Sequence, residues 1–572
     1  MKRVFITCGI VSLCALGYGA TYSIDLDAGN DANAGTQGSP WRSIPGTRNV
    51  GDTADLSAAY GGGTFSTSSK VPVGTLFLVK SGTSWTTNDG GRINITSSWY
   101  DNASAASPIT IRVDTNWGSG PVTFDFLGIT VPIGGFLVQR DGIYIDGGAR
   151  TNLIVKNSPL RGIHYKEQAG SVVSLNDCGV SGVKFINNGT SPTDNSSGAG
   201  VAQLEFVRAN GVTVLDCEFD GGGTNWANGL ILGESGMGVT SCMVSNCAAY
   251  SHFGTTAGND TGIGFKSFNG QVRFYSCVAS NNLKGYDLGE QTGAGTNIFY
   301  RVINGTMASN IWGITMSDKS AARAGTHTNL VLNCLLSSNQ NNGVWNYGGP
   351  FTSIFAHNTF QGNGGASNQN SASIRVGNDN GERQVINVYM YNNIFHKPAG
   401  RGNINVHYYS QDLDSDGLSI DSDYNAWIAR AGENFGYWAG AEGTSDNQTY
   451  LYGANGPGQS GNWYSFYSYS ATAPTNGATG HFHCDLHSRA TGGVDSTEPS
   501  LSADLVLTAS YGGVNLSGQA WFLPEIGYDR AGVYRTTWDM GAFEAPGSGG
   551  TTAVGGSRMA GKWVMKGNAK LK

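Results

Sequence analysis

Lys266, Lys284 and Asp287 fall within one short stretch, 261–290 (TGIGFKSFNGQVRFYSCVASNNLKGYDLGE). A lysine becomes a general base when desolvation and neighbouring cations lower its pKa. An anionic substrate group must also be neutralised, by a second cationic side chain or by a cation that a nearby carboxylate holds. Lys266, Asp287, Lys284 and Arg301 are therefore the catalytic candidates. Arg273, Glu290, Trp312 and Tyr286 are the candidates for substrate contact. Asp287 could also hold a displaced cation together with Asp260 or Glu290. Elsewhere, Asp412, Asp414 and Asp416 precede Gly417, and Asp423 stands at the twelfth position. That spacing converges carboxylates on calcium, because the glycine allows the sharp turn and the last acid closes the shell. His481, His483 and His487 are the densest histidine cluster; zinc accepts such ligands, but a structural role is preferred. Asp287 with Glu290 or Asp318 is the acid pair that glycoside hydrolysis would require. No Gly-x-Ser-x-Gly elbow or phosphate-binding loop is apparent.

These residues need short strands to hold them. Gly262-Ile263-Gly264-Phe265-Lys266 and Gly285-Tyr286-Asp287-Leu288-Gly289 alternate with a period of two, which puts one face in and one face out. With Ile263, Phe265, Tyr286 and Leu288 inward, Lys266 and Asp287 point outward, a diagonal pair roughly 8 Å apart at the backbone. Similar units recur from about 205 to 396, each usually followed by Asn-x-Gly and a second strand. Cys217, Cys247 and Cys277 are thirty residues apart, and Cys334, Asn358 and Asn392 continue the series. Units of 20–35 residues at a fixed period mean a solenoid, with equivalent positions stacked. The cysteines then read as an internal ladder at a bend rather than as disulfides.

Composition agrees. Of 572 residues 86 are Gly and only 13% are charged, which suits many short strands joined by turns. The net charge of −7 gives no whole-chain electrostatic case for nucleic acid. Residues 1–20 combine a basic tip, an apolar run and small residues near Ala20, the pattern of a secretory signal peptide. The apolar run is too short for a membrane span, so the mature chain is expected to be extracellular, with no integral membrane segment. Residues 410–470 break the repeat with aspartates and then many aromatics, and read as a long excursion plus final rungs. Residues 546–556 form a Gly/Ser/Thr linker, and 557–572 a basic tail with no acid.

Residues 22–44 and 524–544 resemble the opening and the end of secreted right-handed parallel β-helix proteins. The stretch 261–290 resembles the active-site region of pectate lyases of polysaccharide lyase family nine. That family's pattern is Asp-Gly-Phe-x-x-Lys, a Cys-containing strand, then Asn-x-Asp-Asp-Gly-x-Asp-Leu. Its catalytic lysine falls on Lys266 and its last calcium aspartate on Asp287; its other calcium carboxylates fall on Thr261, Leu283 and Lys284. The resemblance implies an all-β fold, a right-handed parallel β-helix over 21–545 with an N-terminal cap and loop excursions. It implies binding and β-elimination cleavage of an acidic polysaccharide, with calcium as cofactor, Lys266 as base, and Lys284, Arg273 or Arg301 standing in for the missing positive charge. The alternatives are a non-catalytic surface, fibre or adhesin-type β-helix protein, and a β-helix glycoside hydrolase.

Overall fold

Each turn of the chain lays down three short strands. On Gln271–Tyr275, Val272 and Phe274 are buried while Gln271, Arg273 and Tyr275 are partly exposed. The chain then bends into Val278–Ser280, bends again into Lys284–Glu290, and starts the next turn at Ile298–Ile303. The computed structural model describes most of residues 19–396, leaving out 49–58, 61–64, 129–133, 168–173, 191–200, 224–226, 235–236, 254–260, 291–296, 319–325, 349–350, 365–370 and 378–385. Beyond these it describes 406–409, 419–423, 425–428, 434–439, 448–452, 482–484 and Arg530. Among the described residues the strands stack into three long sheets of 14, 12 and 15 strands. Pairing within them is parallel, apart from Thr47–Arg48 with Ala59–Tyr60 and Ile93–Ile95 near the N-terminal end, and Asn434–Ala439 with Gln448–Tyr452 near the C-terminal end. The fold is a parallel β-helix, right-handed as crossovers between parallel strands are. No described helix is long and apolar enough to cross a membrane.

The solenoid runs well beyond the repeat visible in sequence. Its first strand is Ala20–Ile24, and the stretch read as a signal peptide lies, over residues 1–18, outside the described residues. Ser419–Asp423, Ala426–Ile428 and Asn434–Ala439 add a turn within the stretch read as excursion plus final rungs. The linker and basic tail lie outside the described residues.

Two ladders hold the bends. At the first bend, Asp216, Asn246, Ser276, Asn304, Asn333, His357 and Asn392 adopt φ between 51° and 56°. Such left-handed backbone is uncommon for a side-chain-bearing residue and falls mostly to Asn, Asp and His. The next residues, Cys217, Cys247, Cys277, Gly305, Cys334, Asn358 and Asn393, are buried, and all but Gly305 carry a polar or thiol side chain. The Cys247 and Cys277 thiols donate to the carbonyls of Val214 and Val244 at 3.7 and 3.5 Å. The Asn358 and Asn393 amides donate to Val331 and Phe355 at 2.8 and 2.9 Å. Thiol and amide thus do one job, satisfying a strand carbonyl of the preceding turn. The expected ladder is present, with one correction: Asn393 continues it, because Asn392 occupies the left-handed turn position. Cys178, Cys217, Cys242, Cys247, Cys277 and Cys334 are free and buried. Burial pushes the Cys178 thiol up to about 12 and Cys334 up to about 11.

At the second bend, Asn282, Asn310, Asn339 and Asn363 are joined amide to carbonyl at 3.1, 3.1 and 2.7 Å. His252 caps this column. Its backbone N–H donates to Asn282 Oδ1 at 3.1 Å, and burial lowers its pKa to about 4, keeping the ring neutral. Arg530, in the stretch that resembles a β-helix end, reaches back to the middle of the solenoid. It donates to the carbonyls of Asn304 and Gly305 at 2.7 and 2.5 Å, at the rung where the first ladder has no side chain.

The third sheet carries a column of glycines: Gly229, Gly264, Gly285, Gly313 and Gly343. A Cβ on Gly285 would lie 2.5 Å from the Gly313 carbonyl oxygen. Strand pairing skips these positions; Ile263 pairs with Lys284 and Phe265 with Tyr286, leaving Gly264 and Gly285 between. Gly285→Ala is expected to destabilise the protein by about 1–3 kcal/mol, because the obstructing atom is backbone. A lowered urea midpoint with unchanged slope checks it; an unchanged midpoint would show that the column tolerates a side chain.

Candidate functional site

Beyond the glycine column, alternation assigns the third sheet's faces. Leu230, Phe265, Tyr286, Ile314, Val344 and Ile374 stack inward in the main core. The next residue on each strand faces out, giving the column His164, Glu205, Ile231, Lys266, Asp287, Thr315, Trp345 and Arg375. Lys266 and Asp287 are direct partners in this column rather than the expected diagonal pair, because both follow a skipped glycine in the same register. Ile263 is buried but stands outside the main core cluster, stacked on Lys284.

The same skip explains how Lys284 reaches the site. In an uninterrupted strand, residues i and i+3 face opposite ways. With Gly285 skipped, Lys284 Nζ donates to Asp287 Oδ2 at 3.0 Å. Thr315 Oγ1 donates to Asp287 Oδ1 at 2.6 Å. Lys266 Nζ lies 4.7 Å from the centre of the Phe268 ring. Burial pushes the Asp287 carboxyl up, but Lys284, Lys266 and the Thr315 hydrogen bond outweigh it and hold the group below its ordinary value. Two lysines therefore flank one ionised carboxylate. Lys266 is on the outer face yet 0% exposed, contrary to the expectation of an open groove residue.

The remaining candidates separate. Tyr286 is a core residue, fully buried with its ring centre 5.0 Å from Phe265 and 5.2 Å from Phe274, so it cannot contact a ligand on the outer face. Arg273 and Arg301 pair with each other on the outer face of the first sheet, where Arg301 stacks on Phe299 at 4.0 Å. They share no sheet with Lys266, and the second cation of the cluster is Lys284. Trp312 pairs with Lys284 and is partly exposed. Glu290 and Asp318 end their strands and pair with each other. Asp260, Asp412, Asp414, Asp416, His481 and His487 lie outside the described residues, and Asp423 ends the strand Ser419–Asp423.

The calcium of the resembled family does not fit the Lys266 site. Thr261 and Leu283 bring no carboxylate, and the Lys284 ammonium already occupies an Asp287 oxygen. Among the described residues no group of three or more His, Cys, Asp or Glu is placed to hold a metal ion.

Lower in the column lies a cluster that sequence reading missed. Arg161 bonds Glu205, and His164 Nε2 stands 3.6 Å from the same carboxylate, all three buried. Burial, with Arg161 and Lys166 nearby, holds His164 well below its ordinary pKa and hence neutral; burial and Glu205 raise Glu234. No motif marks this cluster, because strand pairing joins 161–164 to 205.

No protein-family model matches the chain, and no curated protein matches it. Among solved structures, pectate lyase Pel9A is similar with a TM-score of 0.38 and 16% identity, over 72% of this chain and 82% of that one. A rhamnogalacturonan lyase has a TM-score of 0.37 and 13% identity, over 71% and 87%. The A-module of the Azotobacter vinelandii mannuronan C-5 epimerase AlgE4 has a TM-score of 0.36 and 14% identity, over 58% and 86%. Likeness this distant leaves the chemistry to the chain's own residues, and the β-helix stands on its strand pairing.

Proposed function

We propose that this protein is an exported polysaccharide lyase that binds an acidic glycan and cleaves it by β-elimination, with Lys266 as base. The observation that carries this reading is the Lys266–Asp287–Lys284 cluster on the outer face of the third sheet. Lys284 donates to Asp287 as an ammonium, and Lys266, the direct strand partner of Asp287, is the amine that serves as base in its neutral form. A uronate carboxylate bound by the Lys284 ammonium has its charge offset, which acidifies the proton on the adjacent carbon. Lys266, as the neutral amine, takes that proton, the electron pair forms the double bond to the next ring carbon, and the glycosidic oxygen there leaves with its bonding pair and is protonated from solvent. Because Lys284 supplies the positive charge, no calcium is needed at this site. The Asp412 loop is proposed as a calcium site that serves stability rather than chemistry.

The test is the ultraviolet absorbance of unsaturated product on incubation with a panel of uronate polymers, with and without a calcium chelator. The expected result is a rise with at least one polymer that survives chelation. No rise with any polymer under either condition overturns the reading. One observation favours a second reading, a non-catalytic β-helix spacer or adhesin: the complete burial of Lys266, which would make the cluster a structural ion pair.

A further inference from the structure

Past Asp287 and Thr315, towards the C-terminal strands, the outer face of the third sheet turns aromatic. Trp345 follows Thr315 in the column, and Arg375 follows Trp345. Trp312, one strand above Lys284, is stacked near Trp345, with ring centres 6.3 Å apart and planes 28° apart. Tyr347 lies 4.5 Å from Trp345 on the same strand. The Arg375 guanidinium sits 5.0 Å from the Trp345 ring centre. All three rings are partly exposed, whereas core aromatics such as Phe265 and Tyr286 are fully buried. The Trp345 indole N–H has no acceptor among the described residues.

Below Lys266 the face is different. Ile231 is buried with Ala202 and Phe268 in a separate apolar cluster. The column is therefore closed on its N-terminal side and lined with rings on its C-terminal side.

We propose that Trp312, Trp345 and Tyr347 form a glycan-binding platform, and that Arg375 selects sugars bearing a carboxylate. Aromatic rings offer large rigid faces on which the C–H faces of a pyranose stack at small entropic cost, while the ring N–H and O–H groups meet hydroxyls. Arg375, 9% exposed and stacked on Trp345, carries a planar guanidinium whose geometry matches a carboxylate. Strands about 4.8 Å apart match a hexuronate length of roughly 5 Å, so an acidic oligosaccharide lying along the β-helix axis places about one sugar per strand. This deepens the lyase reading by giving its site a binding direction, from Lys284 towards the C-terminal strands.

The test is binding, which does not depend on cleavage. Wild-type protein is titrated with hexamers of galacturonate and mannuronate, and with cellohexaose as a neutral control, following tryptophan fluorescence and heat. At least one uronate hexamer is expected to bind more tightly than cellohexaose. Trp345→Ala and Trp312→Ala are each expected to weaken it by about tenfold, and Trp345→Phe to recover most of the loss. Arg375→Gln is expected to erase the preference over cellohexaose. If Trp345→Ala fails to fold, the partly exposed Tyr347→Ala serves the same comparison. The proposal is overturned if no hexamer binds wild type, if the ring variants bind as wild type does, or if cellohexaose binds as tightly as the uronates. The two readings fail separately: wild type that binds a hexamer through the rings but releases no unsaturated product overturns the lyase reading alone, and wild type that cleaves while the ring variants bind unchanged overturns the platform alone.

Discussion

Lys266→Met lowers the release of unsaturated product by about 10²- to 10⁴-fold, the usual contribution of a positioned general base. Methionine is the informative replacement because Lys266 is completely buried, and alanine would add a cavity to the loss of the amine. Asp287 keeps its bonds from Lys284 and Thr315 in this variant, so the carboxylate is not stranded and the urea midpoint moves little. Steady-state rates on the best uronate polymer, with melting curves beside them, check the result. Cleavage within threefold of wild type would remove Lys266 from the chemistry. The cluster would then be read as a structural ion pair, as its burial also allows.

Asp287→Ala has the larger effect on stability. It leaves two lysines on a covered face with no carboxylate between them. Removing one partner from a buried ion pair costs about 3–5 kcal/mol, because the charge left behind has lost both solvent and counter-ion. Asp287 also brings a pH dependence. Burial raises its pKa, but Lys284, Lys266 and Thr315 outweigh burial and hold the folded-state value below the ordinary one. A depressed carboxylate contributes stability that is complete above its unfolded pKa of about 3.9 and is lost as pH falls through the folded value. Wild type should therefore lose stability relative to Asp287→Asn as the pH drops below about 4, and the difference should be flat from pH 5 to 8. Urea midpoints at several pH values check this. Equal midpoints for wild type and Asp287→Ala at pH 7 would show that the lysines find other counter-charges.

The winding of this protein is legible in its sequence. Its period of about thirty residues, the Cys217–Cys247–Cys277 spacing and the short alternating runs fix a solenoid. A parallel stack makes equivalent residues neighbours, so a repeat in sequence is already a repeat in space. The sequence also singled out Lys266, Lys284 and Asp287, which lie close enough along the chain for one motif to contain them. The tertiary structure alone decided what these residues do to one another. Period-two alternation predicts opposite faces for Lys284 and Asp287, and they meet only because pairing skips Gly285. It alone removed Tyr286 to the core and Arg301 to another sheet, since face and sheet depend on where each bend falls. It alone joined Arg161 and His164 to Glu205, and Trp312 to Trp345 and Arg375, because residues on successive turns share no local signal. Register between strands is set by the whole stack of bends and ladders, and no single segment carries it.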